Sequence, residues 1–223
     1  MENNTGYEWE AKWVIWENEK PQFTEEFRTT LKNWNSKRYL EEQTELELIT
    51  LLEEDIEKEG LFIEQRYLDQ DSGDKLLEAI TSDKDLMDSM TDENKKEWYG
   101  IGNVERDTYR IRNKKAKVDE DSELQKSNIR KGRWYLNDDG KVEEWYFTIK
   151  NDSSREVEIG ISHERISDFW NSSNHLGITK RRLEIKYGEL NLEIDKIYEN
   201  KKGKEFDLIV AEIEVKTEED LKK

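Results

Sequence analysis

The sequence predicts an α+β fold in which about eight strands, mostly antiparallel, are accompanied by helices. Several segments alternate polar and apolar residues with period two, as half-buried strands do, while others repeat apolar residues at helical spacing. The strand-like segments follow one another along the chain, which favours antiparallel pairing. Eight Trp, nine Tyr and six Phe supply large side chains for a core. Eight strands are also enough to close a small β-barrel.

The strand predictions begin near the N-terminus. In residues 7–16, Glu8, Glu10 and Lys12 fall on one face, and Trp9 and Trp13 on the other. The later predicted strands cover residues 61–68, 104–114, 133–136, 141–150, 155–161, 178–187, 190–198 and 206–216, with a turn at 137–140.

Helical patterns interrupt the strands at three places. A long helical connection is predicted over 22–59, with a second helix that begins near Ser36 as its cap and ends at Gly60. The polar stretch 70–100 predicts a small helical insertion, for which a mobile loop is the alternative, and 163–173 predicts another helix. A further insertion is expected near 115–140.

The composition suits one domain spanning residues 1–223. The length is enough to bury a core, and one Pro with eleven Gly leaves little room for a flexible linker. The absence of Cys excludes disulfides, a thiolate nucleophile and Cys-ligated zinc.

Charge and hydropathy narrow the classes of partner. With 54 acidic and 37 basic residues the formal net charge is −17, which disfavours duplex DNA and anionic membranes. No apolar stretch approaches the length of a transmembrane helix, and the first residues lack the pattern of a signal peptide. We therefore expect a cytoplasmic protein that binds a small molecule. The oligomeric state is left open, and a homodimer is compatible with the sequence.

Charged residues recur with period two on most of the predicted strands. Any one such pair is most simply a solvated sheet face. Seven sets that contain both signs favour instead a barrel or cleft with a charged interior and an apolar exterior covered by helices. Such an interior needs ligands that balance its charges. Arg and Lys suit phosphate oxygens, and carboxylates suit Mg²⁺ or Mn²⁺, so the pattern indicates a polyphosphate bound with a divalent metal.

The order of these motifs resembles the CYTH superfamily, the triphosphate tunnel metalloenzymes. Glu8-Trp9-Glu10-Ala11-Lys12 matches the ExExK signature of that family. The further motifs follow in order over residues 7–216: Gln65-Arg66-Tyr67-Leu68, Arg110-Ile111-Arg112, Tyr146-Phe147-Thr148-Ile149-Lys150, Glu156-Val157-Glu158, Lys180-Arg181-Arg182, Ile194-Asp195 and Ala211-Glu212-Ile213-Glu214.

The resemblance implies an eight-stranded antiparallel tunnel with a charged lining. It implies that the triphosphate is held by Lys12, Arg110, Arg112, Lys150, Lys180 and Arg182. It implies that Mg²⁺ or Mn²⁺ is held by Glu8, Glu10, Glu156, Glu158, Asp195, Glu212 and Glu214. Relatives often carry R-x-E-x-E at the central acidic pair, whereas Ser154 holds that Arg position here and Arg155 directly precedes Glu156.

The expected activity is metal-dependent hydrolysis of an inorganic or organic triphosphate, such as tripolyphosphate, a nucleoside triphosphate or thiamine triphosphate. Glu212, Glu214 and Lys12 are the predicted catalytic residues, with Glu8 and Glu10 as alternative groups to orient water. Two alternatives stay open. One is a class IV adenylate cyclase that makes cyclic AMP from ATP, and the other is a protein that binds a nucleotide or polyphosphate without turnover.

Overall fold

The structure is a computed structural model that describes residues 9–17, 20–88, 90, 92–101, 106–117, 126, 129, 135–137, 140–151, 156–171, 176–187, 190–200 and 205–215. The strands are β1 (Trp9–Glu17), β2 (Lys20–Pro21), β3 (Leu61–Leu68), β4 (Arg106–Lys117), β5 (Tyr135–Leu136), β6 (Lys141–Asn151), β7 (Glu156–Gly160), β8 (Leu176–Tyr187), β9 (Leu190–Asn200) and β10 (Glu205–Val215). The helices are α1 (Glu25–Trp34), α2 (Glu45–Glu59), α3 (Gln70–Ser82), α4 (Lys84–Asp88), α5 (Asp92–Ile101) and α6 (His163–Asn171).

These elements confirm the predicted α+β class. Eight of the ten strands in the described part of the chain have five residues or more, and β2 and β5 have two each. Backbone contacts divide the chain into two compact units. The terminal unit comprises Trp9–Ile63 and Ile178–Lys223, and the central unit contains Glu64–Gly177. A single domain over the whole chain stays a prediction.

In the terminal unit the strands run in the order β2-β1-β10-β9-β8, and each strand pairs antiparallel with its neighbours. Alternate strand residues, among them Leu183, Ile194 and Ala211, are buried on one face together with apolar residues of α1 and α2. Because side chains alternate across a strand, the intervening charged residues lie on the opposite face. That face carries the residues of interest below.

The second helix of the terminal unit, α2, begins later than the predicted start at Ser36. Thr44 caps α2 in a capping box, in which Thr44 Oγ1 accepts from the Glu47 amide and the Glu47 carboxylate accepts from the Thr44 amide. Residues 36–42 form turns and irregular backbone instead of a helix, and within them Tyr39 is buried and donates its hydroxyl to Asp55 over 2.6 Å. The prediction of Ser36 as the cap was therefore wrong, whereas the end at Gly60 is confirmed.

In the central unit β6 pairs antiparallel with β4 and with β7. The short strand β5 pairs with the first residues of β6, before the part of β6 that pairs with β7. One face is apolar: Tyr109 on β4 stacks on Phe147 of β6 with ring centroids 5.9 Å apart. Helices α3, α4, α5 and α6 contribute to the same core. The predicted helical structure of residues 70–100 is thus confirmed as α3, α4 and α5, and the predicted helix near 163–173 as α6.

Within either unit the described strand pairings form an open ladder, so closure of eight strands into a tunnel stays a prediction. No helix in the described part of the chain is long and apolar enough to cross a membrane. The predicted insertion at 115–140 lies largely outside the described residues. Asn137 and Gly140 of the predicted turn are described: the Gly140 amide donates to the Asn137 carbonyl, and Gly140 has a φ of +70°, which glycine adopts readily.

Candidate functional site

The charged face of the terminal unit is organised around Arg182 on β8. Its guanidinium donates to Asp195 on β9 through Nε to Oδ1 at 2.8 Å and through Nη2 to Oδ2 at 2.7 Å. Its Nη1 also pairs with Glu193, and Nη2 lies 3.6 Å from Oε2 of Glu212 on β10. One cation is thus shared by three carboxylates from two neighbouring strands.

Two lysines complete this group. Lys180 Nζ lies 2.5 Å from Asp195 Oδ2, and Lys12 Nζ lies 2.6 Å from Glu212 Oε1. Lys12 is more exposed than the others, with 53% of its side chain accessible against 12% for Arg182 and 12% for Lys180. We call the group the terminal cluster: Lys12, Lys180, Arg182, Glu193, Asp195 and Glu212.

Burial and ion pairing oppose each other in the terminal cluster. Burial disfavours the Asp195 carboxylate, yet hydrogen bonds and charge from Arg182 and Lys180 outweigh it and hold the pKa of Asp195 below its ordinary value. Burial, with the charges of Asp195 and Glu212, raises the pKa of Glu193 despite its contact with Arg182. The cluster therefore contains one firmly ionised carboxylate beside one that holds its proton more tightly.

The charged face of the central unit has a similar arrangement on three neighbouring strands. Arg110 on β4 donates from Nη2 to Glu156 Oε1 on β7 over 2.6 Å, and Arg112 Nη1 lies 3.3 Å from Glu158 Oε2. Lys150 on β6 lies 3.9 Å from Glu156. These five residues form the central cluster. Backbone register brings them together because Arg110, Thr148 and Glu158 lie directly opposite one another on the three strands.

A further group continues the central cluster along β4 and β6. The Tyr146 hydroxyl donates to Glu144 over 2.9 Å, and the Lys114 ammonium lies 4.7 Å from the centroid of the Tyr146 ring. Burial, with the charge of Glu158, raises the pKa of Glu144 in spite of Tyr146 and Lys114. Burial also disfavours the Glu158 carboxylate, but Arg112, Lys114 and Arg110 lower the pKa of Glu158 overall.

Most predicted site residues fall into one of the two clusters. Lys12, Lys180, Arg182, Asp195 and Glu212 lie in the terminal cluster, and Arg110, Arg112, Lys150, Glu156 and Glu158 in the central one. Glu8, Ser154 and Arg155 lie outside the described residues, as do the side chains of Glu10 and Glu214, whose backbones pair across β1 and β10.

The predicted metal ligands whose side chains the structure describes pair with Arg or Lys. In the part of the chain that the structure describes, no three Asp, Glu or His side chains are grouped so that they could hold a metal ion. The described carboxylates that were predicted as ligands instead face Arg or Lys. Their oxygen atoms are nevertheless the donor type that Mg²⁺ and Mn²⁺ prefer.

The sequence-based set of site residues omitted four residues that the structure places beside these clusters. They are Glu193, Lys114, Glu144 and Tyr146. Glu193 forms a period-two pair with Asp195, and Tyr146 begins the motif that ends at Lys150, so both already lay within the recognised patterns. Lys114 follows Arg112 and Glu144 precedes Tyr146 at the same spacing, so extending those two series by one step would have found them.

Comparison with known proteins identifies no relative of this chain. No protein-family profile matches the sequence, and no curated protein or solved structure gives a significant match. The functional proposal below therefore rests on the residues and on their geometry.

Proposed function

We propose that this protein is a divalent-metal-dependent hydrolase of triphosphates, with an inorganic or organic triphosphate as its substrate. The observation that carries the proposal is the burial of charged side chains on the sheet faces opposite the two apolar cores. The side chains of Arg182, Asp195 and Glu212 are no more than 12% accessible, and those of Arg110, Arg112 and Glu156 no more than 16%.

Such burial is costly for a face that serves only solubility. A solvated sheet face keeps its charges in water, whereas a buried ion pair loses hydration that its Coulomb attraction often fails to recover. If these positions contributed only to stability, apolar residues would serve at least as well. A cluster of buried cations is instead suited to a polyanion, because Arg matches phosphate oxygens through its planar, bidentate fork.

The presence of both signs supports a metal–phosphate ligand in particular. Phosphate oxygens can replace Glu156 and Glu158 as partners of Arg110 and Arg112, since both are anionic oxygen acceptors. The carboxylates released by that exchange are then free to hold a cation. An anion alone would leave the carboxylates unpaired, so a divalent metal that accompanies the triphosphate balances the exchange.

The donor chemistry fits a hard divalent cation. The described residues that would hold such a cation are Glu156 and Glu158 within the central unit, and Asp195 and Glu212 within the terminal unit; each presents carboxylate oxygens. When bound, Mg²⁺ or Mn²⁺ offsets charge on the phosphate oxygens. Glu8 and Glu10 remain predicted ligands from the ExExK resemblance, and Glu214 from the resemblance at Ala211-Glu212-Ile213-Glu214.

In the proposed reaction the chain's cations bind the triphosphate and stabilise charge on the phosphoryl group as it is transferred. A water oxygen forms a bond to the terminal phosphorus while the bridging P–O bond breaks and leaves its electron pair on diphosphate. One water hydrogen remains on the orthophosphate formed, and the other passes to a phosphate oxygen. Lys12, Arg110, Arg112, Lys150, Lys180 and Arg182 are the proposed substrate-binding residues.

Phosphate release from inorganic triphosphate, ATP and thiamine triphosphate with Mg²⁺ or Mn²⁺ tests this proposal. Glu212→Gln should lose turnover while its folded circular-dichroism spectrum is kept. Glu53→Gln is the matched control, because Glu53 lies on α2 and pairs with Lys196 at 2.9 Å on the opposite side of the sheet. Absence of release from all three substrates would refute hydrolysis; cyclic AMP from ATP would then indicate a cyclase, and binding without turnover a binding protein.

A further inference from the structure

Gln65 on β3 combines deep burial with an unused hydrogen-bonding atom. It is 5% exposed, and its Nε2 donates to the Tyr67 hydroxyl over 2.8 Å. Its Oε1 has no hydrogen-bond partner among the described residues. Of the buried side-chain atoms without a hydrogen-bond partner there, Gln65 Oε1 is the only neutral acceptor; the others are N–H donors and Glu193 Oε2, which forms an ion pair with Arg182.

The two residues lie on the charged side of the central unit. Leu68 belongs to the apolar core, and Arg66 stacks its guanidinium 4.1 Å from the ring centroid of Trp170 on α6. Because successive side chains on a strand point to opposite faces, Gln65 and Tyr67 point away from that core. β3 is the hydrogen-bonded neighbour of β4, whose Arg110 and Arg112 face the same way.

A buried acceptor without a partner calls for an explanation, because nearly all buried polar atoms are hydrogen-bonded. Leaving such an atom unpaired costs roughly 1–3 kcal/mol. The pair Gln65–Tyr67 offers one acceptor, Gln65 Oε1, and one hydroxyl donor, since Tyr67 uses its oxygen to accept from Gln65. The complementary partner is a small group that both donates and accepts a hydrogen bond.

We infer that Gln65 and Tyr67 position the water that attacks the terminal phosphorus, an inference that rests on the proposed hydrolase function. A site rich in cations orients a water molecule with its lone pairs towards the cations, which hinders attack. An acceptor that receives a hydrogen bond from this water rotates the molecule, so that a lone pair of the water oxygen points towards the phosphorus. Once phosphate replaces Glu156 and Glu158 at Arg110 and Arg112, these carboxylates would hold the metal, so a neutral amide oxygen is suited to this task.

The amide acts as a positioning group and accepts no proton. The water oxygen bonds to phosphorus, the bridging P–O electron pair leaves with diphosphate, and both water hydrogens end on phosphate oxygens. Tyr67 would hold the water through its hydroxyl proton. The prediction is therefore an effect on the chemical step and no effect on substrate binding.

The test compares steady-state kinetics of the full chain with inorganic triphosphate and with ATP, both in Mg²⁺. Gln65→Leu should lower kcat about a hundredfold for both substrates with KM unchanged, as misplacing a reacting group does. Tyr67→Phe should lower kcat by up to about tenfold, the equivalent of one hydrogen bond. Gln65→Glu keeps an acceptor oxygen and should retain most of kcat. Gln70→Leu, at an exposed glutamine of α3, is the control.

Thermal unfolding of the same variants separates positioning from structural support. Gln65→Leu removes the hydrogen bond from Gln65 Nε2 to Tyr67 together with an acceptor that has no partner among the described residues, so its Tm should fall by no more than about 4 °C. Three results for Gln65→Leu would each overturn the inference: an unchanged kcat, a KM increase confined to ATP, or a loss of activity that parallels a lower Tm. In each case turnover by the wild-type chain would still support the proposed hydrolase function. A wild-type chain that turns over no triphosphate would refute both.

Discussion

Arg182 and Asp195 face each other directly across β8 and β9, and the guanidinium binds the carboxylate through two hydrogen bonds of 2.7 and 2.8 Å. This bidentate geometry fixes the plane of the guanidinium. Its remaining N–H groups are then directed to Glu193 and Glu212. The pair therefore determines how the whole terminal cluster is arranged.

Removing the charge of Arg182 should be strongly destabilising. In Arg182→Met, Glu193, Asp195 and Glu212 stay close together without the cation that they share, and we expect a loss of about 3–5 kcal/mol in the free energy of unfolding. Urea denaturation at pH 7 measures this loss. Lys12→Met is the matched control and should cost less than about 1 kcal/mol, because the Lys12 side chain is largely exposed.

The pH dependence of Arg182→Met gives a second check. Protonation of the carboxylates removes the repulsion, so the difference from wild type should shrink as the pH falls towards 4. A difference that stays constant over that range would indicate that packing, and not charge, is responsible.

The half-buried Glu144 should lower stability at neutral pH. Its pKa in the folded protein is raised above the ordinary value of about 4.3 expected in the unfolded chain. The cost of ionising it is fully present above the folded pKa and is relieved as the pH falls through that pKa. Glu144→Gln keeps an acceptor for the Tyr146 hydroxyl and removes the charge. We therefore expect the variant to be more stable than wild type at pH 7.

Urea denaturation of Glu144→Gln across pH 4 to 8 tests that expectation. The advantage of the variant should decline as the pH falls through the raised pKa and vanish near the ordinary value. Glu78→Gln, at an exposed position on α3, controls for the loss of one negative charge. Equal stability of wild type and Glu144→Gln at pH 7 would contradict the prediction.

Gly73 on α3 should tolerate no side chain. A Cβ built on Gly73 would overlap the ring of Tyr109, which is buried and stacked on Phe147. Gly73→Ala should therefore lower the free energy of unfolding by about 1–3 kcal/mol through overpacking. Glu78→Ala on the exposed side of α3 should have little effect. A Gly73→Ala variant more stable than wild type, as is usual at exposed helix positions, would contradict the packing of α3 on β4.

The period-two pattern was sufficient to predict individual strands, and β3 occupies the predicted range 61–68. It was insufficient for the second helix. Ser36 satisfies the local rule for a cap, but Tyr39 is buried against Asp55, sixteen residues further along, and this tertiary contact favours turns before Thr44. A capping rule that considers only neighbouring residues cannot take account of a contact between residues sixteen positions apart.

Ion-pair partners could be predicted as a group but not one by one. The hairpin register, which pairs Tyr187 with Leu190 and Arg182 with Asp195, places Lys180 opposite Ile197, and the register shifts only beyond it, at Thr179. Lys180 therefore reaches Asp195 diagonally, over 2.5 Å. Because strand alternation does not say which carboxylate of a face a long side chain reaches, the pairing of Lys180 with Asp195 required the structure.

Triphosphate bound with Mg²⁺ should stabilise the folded chain through the central cluster. A ligand at one hundred times its Kd adds about 2.7 kcal/mol to the free energy of unfolding, which raises Tm measurably. Arg110→Gln removes a guanidinium of the charged face, where it lies 2.6 Å from Glu156, and should abolish most of that shift. Arg66→Gln removes a guanidinium from the opposite side of β3, where it stacks on Trp170, and should retain the shift whatever its own Tm. Equal Tm shifts in the two variants would show that the ligand binds elsewhere. Of the two arginines, Arg110 lies among the buried cations that suit phosphate, and Arg66 does not.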